Sequence, residues 1–173
     1  MISTFYDIEW SKSVFFITFT SLAITLLPIS FLIFPIEPLG LSISLALLTL
    51  LPLFGGIIYA FFNSPLLLEL SDTQIIVHTR KKNKCIEYTD ISSIEIYYPV
   101  KWEIMTFGIG GLFGFFGHFK NSKIGEYEAF VGDFNQAILI QMKDNKKYVI
   151  SCKTRKLVMR RINQKIYNEL EYV

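Results

Sequence analysis

Two uncharged apolar runs constrain this chain more than anything else in it. No Asp, Glu, Lys or Arg occurs in residues 13–36, and none in residues 38–68. A bilayer core is about 30 Å thick and takes roughly 20 apolar residues of helix to cross. Residues 14–34 meet that length and residues 39–62 slightly exceed it. In lipid, backbone N–H and C=O groups must pair within their own segment, so runs this long are expected to be helices. Between them, Pro35-Ile36-Glu37-Pro38 predicts a tight reversal, and the whole a two-helix transmembrane hairpin. A cleaved signal peptide fits poorly, because the tail ahead of the first run is acidic and the run is too long.

Pro28 and Pro52 fall inside these helices, where each frees a carbonyl and can kink the chain. With no intramembrane charge to hold an ion, packing accounts for them better than transport. Gly55-Gly56, with Ser42, Ser44 and Ala46, suits close approach of another helix, including one from a second copy. Trp10, Tyr59, Phe61 and Phe62 stand where an interfacial aromatic belt belongs.

Charge divides the chain at the same place. Residues 1–63 hold one Lys against three acids, net −2, and residues 64–173 hold 16 Lys and Arg against 12 acids, net +4. That surplus suits anionic lipid, but it is too dispersed for nucleic acid, which needs a dense basic stripe. The reversal carries no Lys or Arg, whereas Lys12 precedes the first helix and Arg80, Lys81, Lys82 and Lys84 follow the second. The positive-inside bias therefore predicts both termini and the C-terminal domain on the cytoplasmic side. Cys85 and Cys152 are far apart and in no metal or redox spacing, which reads as two free thiols.

Residues 1–13 are expected as an N-terminal tail, residues 63–65 as a linker and residues 66–173 as one domain lying against the membrane. Strand periodicity marks seven candidates: residues 66–70, 74–80, 85–89, 91–98, 126–131, 137–142 and 147–151. Residues 155–170 change to helical spacing, with Val158, Ile162, Ile166 and Leu170 forming an apolar stripe and Thr154 placed to cap it. Seven strands and a final amphipathic helix predict a mainly-β α+β domain, a strongly bent antiparallel sheet closed by the C-terminal helix.

That order, with the segment Gly108-Ile-Gly-Gly-Leu-Phe-Gly-Phe-Phe-Gly-His-Phe119, then Gly125-Glu-Tyr-Glu-Ala, then Lys147-Tyr-Val-Ile-Ser151, resembles the bacterial pleckstrin-homology (PH) domain family over residues 64–173. Similar members are small membrane proteins with helices ahead of the domain. The resemblance implies the bacterial cytoplasmic membrane as location, no enzymatic activity and no settled ligand. Where such proteins tend to follow Ile-Ser with Pro-Asp, this chain has Cys152-Lys153.

Two constellations stand out as candidate sites. The first is the glycine-rich segment, with Gly108, Gly110, Gly111, Gly114 and Gly117 among Phe107, Ile109, Leu112, Phe113, Phe115 and Phe116. It lacks the spacing and the Lys-Ser/Thr of a phosphate-binding loop. Either its aromatics fill the sheet while glycines permit the bends, or its apolar side chains contact lipid or a partner. The second is the basic hairpin tip Arg80, Lys81, Lys82 and Lys84, which either reads anionic headgroups or is a solvated turn. A turn centred on Lys82-Asn83 would set His78 against Glu87.

His118 has no acidic or Cys partner close in sequence, and Glu126 and Glu128 share a strand face without a catalytic context. No metal or cofactor is expected. The expected function is a membrane-anchored, non-catalytic binding or scaffold module whose partners are membrane lipids, without nucleic acid. The alternative is an accessory or regulatory subunit of a larger membrane complex, with a protein partner or homo-oligomer formed through the helices.

Overall fold

A computed structural model of the chain describes residues 3–33 and 39–171. The reversal expected at residues 35–38 lies outside the described residues, and so does the side chain of Leu170. Helix α1 (Lys12–Ile24) leaves the domain, and α3 (Leu39–Asn63) runs back into it. The first apolar run is segmented rather than continuous. Its α-helical bonding stops at Thr25, whose hydroxyl donates to the Leu22 carbonyl (2.6 Å), and a 3-10 turn over Leu27–Ile29 carries Pro28 before α2 (Ser30–Ile33) resumes. Proline has no N–H to continue the ladder and its ring crowds the preceding turn. Pro52, by contrast, is absorbed within an unbroken α3. Lys12–Ile29 and Ile43–Asn63 are long and apolar enough to cross a membrane.

Among the described residues, ten strands form two sheets. The four-stranded sheet is β1 (Thr4–Asp7), β2 (Pro65–Leu70), β3 (Gln74–Thr79) and β4 (Asn83–Glu87), in that order. The six-stranded sheet comprises β5 (Ile91–Ile96), β6 (Ile104–Gly110), β7 (Phe115–Asn121), β8 (Gly125–Val131), β9 (Ala137–Met142) and β10 (Lys147–Ser151), ordered β5-β9-β10-β8-β7-β6. All seven expected strands have counterparts, within three residues at their ends. Three more were not foreseen, and the single antiparallel sheet becomes two, with β8 and β10 parallel.

The additions have clear causes. β1 comes from the segment expected to be a tail: Thr4 pairs with Leu70 and Asp7 with Leu67, and Ile8 is buried in the core just beyond. Only Ser64 separates α3 from β2, so the linker is shorter than expected. β6 and β7 are the glycine-rich segment itself, which folds as a hairpin rather than a loop.

Strand alternation explains the packing. Leu68, Leu70, Ile75, Val77 and Ile86 of the small sheet face Phe130, Ile138, Ile140, Tyr148 and Ile150 of the large one. Helix α4 (Arg155–Glu171) closes this core with Val158 and Ile162, both fully buried, and with Ile166 at its margin. Burial of each large aliphatic side chain contributes about 1.5–3 kcal/mol. Thr154 does not cap α4 through its hydroxyl. It sits at φ 64°, its hydroxyl donates to the Lys153 carbonyl, and its own carbonyl accepts the first helical bonds from Leu157 and Val158.

The opposite face of the large sheet is also covered. Ala129, Val131, Ala137, Leu139 and Val149 lie under Tyr97, Phe119 and Tyr127, with Phe115 and Phe134 alongside. β5 and β6 are the two edges of this sheet, so residues 97–103 must cross from one edge to the other.

Candidate functional site

Both segments singled out in the sequence converge on the base of the two apolar helices. The β3–β4 tip is organised by Thr79, whose hydroxyl oxygen accepts from the backbone N–H groups of Lys81 (3.3 Å) and Lys82 (3.0 Å). This sets the turn earlier than expected, with His78 opposite Asn83 and Glu87 opposite Gln74. The expected His78–Glu87 pair is therefore not formed. His78 instead meets Glu69 on β2, with 2.7 Å between Nε2 and Oε2.

The four cations of this tip are placed in three different ways. Arg80 turns toward α3, where it donates to the Phe61 carbonyl (3.1 Å) and to Ser64 Oγ (2.8 Å), with its guanidinium 4.0 Å from the Phe61 ring centroid. The last carbonyls of a helix lack intrahelical partners and favour a cation nearby. Asn63 and the buried Ser64 complete the cap by donating to the Tyr59 and Phe61 carbonyls. Lys84 turns inward to Glu128 (2.9 Å) and lies over the Tyr148 ring. Burial pulls the Lys84 ammonium down, but the hydrogen bonds and charges of Glu128 and Tyr148 outweigh it and hold its pKa above the ordinary lysine value. Lys81 and Lys82 remain exposed at the helix base.

A groove of about 270 Å³ opens beside them between the sheets. Lys82, Lys84 and His118 line it together with Tyr59, Phe107 and Phe116. Glu128 also faces it, but Lys84 occupies that carboxylate. Glu126, on the same strand face, lies 3.7 Å from Lys120, so the two carboxylates serve separate ion pairs.

The β6–β7 tip docks on the helices. The Gly111 N–H donates to the Gly114 carbonyl (2.9 Å), closing residues 111–114. Thr18 of α1, only 2% exposed, accepts from the Phe113 N–H (3.0 Å) and donates to the Gly111 carbonyl (3.4 Å). The Phe113 ring lies between Trp10 and Phe61, with centroid separations of 5.9 and 5.7 Å. Gly111 abuts Ile17, and Gly114 abuts Pro65. The hairpin's aromatics split between the two expected roles: Phe116 and Phe119 are buried in the domain, whereas Phe107 is 69% exposed. Two of its glycines are obligatory. Gly108 and Gly117 face each other at φ 140° and 113°, and a Cβ on either would run into the opposite strand's backbone.

Sequence reading missed one polar cluster. Glu103, at the end of the crossover, accepts from Tyr97 (2.5 Å) and the Val100 N–H (3.0 Å) on one oxygen. Its other oxygen accepts from Tyr127 (2.6 Å) and Asn121 (2.9 Å). Burial, then the hydrogen bond to Glu103, pushes both tyrosine hydroxyls above their ordinary range. Asn121 and Tyr127 lie 18 and 24 positions from Glu103, so no local spacing signals the cluster. The cluster is fully satisfied, which makes it a clasp for the crossover rather than a reactive centre.

Two sheets packed face to face and closed by a C-terminal helix define a PH-like β-sandwich. The family model described as Bacterial PH domain matches residues 67–166, more than half of the chain, and the chain belongs to that family. No curated protein and no solved structure matches it. Membership makes the domain a binding or scaffold module by class.

Proposed function

We propose that this chain is a membrane-anchored, non-catalytic PH-like module that holds a lipid or protein partner at the cytoplasmic face. The observation that carries this is the seating of Arg80 on the last turn of α3. It fixes the β3–β4 tip at the level where the apolar helix ends and leaves Lys81 and Lys82 pointing outward. Cations held there gain about 1 kcal/mol each beside an anionic leaflet. Around the helices most exposed side chains are apolar, among them Phe16 (70%), Leu48 (72%) and Leu51 (70%), as lipid-facing surface requires.

The test is fractionation of cells expressing the full chain, with Cys85, which is exposed, as topology probe. Alkaline carbonate should leave the protein in the membrane pellet. A membrane-impermeant maleimide should label Cys85 in inverted vesicles but not in intact spheroplasts. Release by carbonate would overturn the anchoring, and labelling from outside would overturn the orientation.

One observation favours the subunit reading as a second possibility. A Cβ built on Gly55 or Gly56 meets nothing within 4 Å, so among the described residues the close approach expected at Gly55-Gly56 is not made. That surface suits another helix. Purification in mild detergent with mass spectrometry distinguishes the two: a stoichiometric partner supports the subunit reading, and a lone chain removes it.

A further inference from the structure

The β6–β7 tip does not stop at the helix base. Ile109 and Leu112 line an apolar crevice with Ser21 and Ile24 of α1 and with Leu53 and Gly56 of α3. Along α3, Gly56 lies about 10 Å below Asn63 at about 1.5 Å per residue, and Ser21 lies about 14 Å beyond Lys12 on the same scale. Further up β6, Phe107 lines the groove with Tyr59 and Asn63. The hairpin therefore descends alongside α3 and wedges between the two helices. Helix α3 has 25 residues, about 37 Å of helix against about 30 Å of hydrocarbon. Even with the whole excess placed at the domain end, Leu112 falls inside the hydrocarbon.

We infer that the β6–β7 hairpin is a re-entrant membrane element whose tip sits among the acyl chains of the domain-side leaflet. Non-helical backbone survives at that depth only where its polar groups are satisfied by protein, and the turn meets the condition at residues 111, 113 and 114. Gly111 and Gly114 are buried and bonded to each other, while Thr18 takes the Phe113 N–H and supplies a donor to Gly111. The burial of Thr18, whose neighbour Thr20 on the same helix stays exposed, is accounted for by this role. The side chains by which the tip lines this crevice, Ile109 and Leu112, are apolar and half-buried, so the occupant they fit is lipid chain rather than headgroup or water.

This inference rests on the membrane-anchored reading, and the experiment separates the two. The full chain, carrying Cys85→Ser, is reconstituted in liposomes and spin-labelled at Leu112→Cys, Phe107→Cys, Phe16→Cys or Lys143→Cys, one site at a time. Cys152 is buried and remains unlabelled. Relaxation by oxygen, which concentrates in lipid, is compared with relaxation by a water-soluble nickel chelate. Leu112 should be oxygen-favoured like Phe16 on the outer helix surface, Lys143 on an exposed turn should be nickel-favoured, and Phe107 should fall between. A nickel-favoured Leu112 beside an oxygen-favoured Phe16 overturns the re-entrant hairpin and leaves the anchoring intact. A nickel-favoured Phe16 overturns both. Ile109→Cys reads the same depth from the other side of the tip, should Leu112→Cys misfold.

Discussion

Thr18 and Phe113, 95 positions apart in sequence, are joined by a 3.0 Å hydrogen bond from the Phe113 N–H to the Thr18 hydroxyl. The same hydroxyl donates to Gly111, so one side chain of the first apolar helix serves both polar ends of the glycine-rich turn. Thr18→Val keeps the shape and removes both bonds, leaving buried backbone groups without partners, a loss of about 1–3 kcal/mol. Thermal unfolding of the full chain in mild detergent should show a clear drop in Tm for Thr18→Val and near-native behaviour for Thr18→Ser. An unchanged Thr18→Val would show that the contact carries no energy.

The glycines divide into two classes that alanine substitution should separate. Gly108→Ala and Gly117→Ala place a methyl against facing backbone at positive φ, which destabilises by about 2 kcal/mol or more through strain and overpacking. Gly55→Ala and Gly56→Ala meet open space and should leave the monomer's Tm unchanged or slightly raised, since alanine is the better helix former by about 1 kcal/mol. Loss of an oligomer or partner in the second pair, without loss of monomer stability, would locate a helix–helix interface there.

Arg80 is not interchangeable with lysine. Its guanidinium bonds two oxygens and stacks on Phe61, a geometry an ammonium cannot reproduce. Arg80→Lys should lower stability by about 1 kcal/mol and loosen the β3–β4 tip, read as faster amide exchange at Lys81 and Lys82. Lys81→Gln with Lys82→Gln should leave both unchanged and reduce retention of anionic lipid through purification. Equal lipid retention would remove the headgroup role of the tip.

The two thiols should differ sharply in reactivity. Burial pushes the Cys152 thiol up to about 12, and its side chain is 1% exposed, whereas Cys85 is exposed. Because the thiolate is the reactive form, a maleimide at pH 7–8 should modify one thiol per chain when folded and two after denaturation. Mass spectrometry of the modified peptides should assign the first to Cys85; modification of Cys152 in the folded chain would contradict its burial.

Acid should loosen the edge where β1 joins the domain. Hydrogen bonds from Ser3 and then His78 hold the Glu69 carboxyl below its ordinary value of 4.5. A carboxyl depressed in the folded state stabilises above its unfolded pKa and loses that contribution as pH falls through the folded one. Stability measured downward from about pH 5 should fall less steeply in Glu69→Gln than in the native chain. Parallel curves would mean Glu69 adds nothing to the acid response.

Much of the architecture was legible locally. Uncharged apolar runs marked α3 and the helical segments that Pro28 divides, alternation marked seven strands, and four-residue spacing marked α4, because each signal is carried by neighbours within a few positions. The same locality explains what was missed. The Thr4–Asp7 segment is a strand only because Leu67–Leu70 offers it an open edge. The glycine-rich segment gave no alternation because Gly108 and Gly117 occupy places where a pleated strand would carry side chains.

At the candidate site, the sequence determined which residue types were present: four cations in one turn, glycines among phenylalanines, and two helices with no charge inside them. Tertiary structure decided what each could do. It turned Arg80 to the end of α3 and Lys84 to Glu128, leaving Lys81 and Lys82 exposed, and it brought Thr18 beneath Phe113. The physical reason is that composition and periodicity report a residue's affinity for water and for a local backbone shape. Which partner satisfies a given polar group is settled only when segments far apart in sequence compete for the same space.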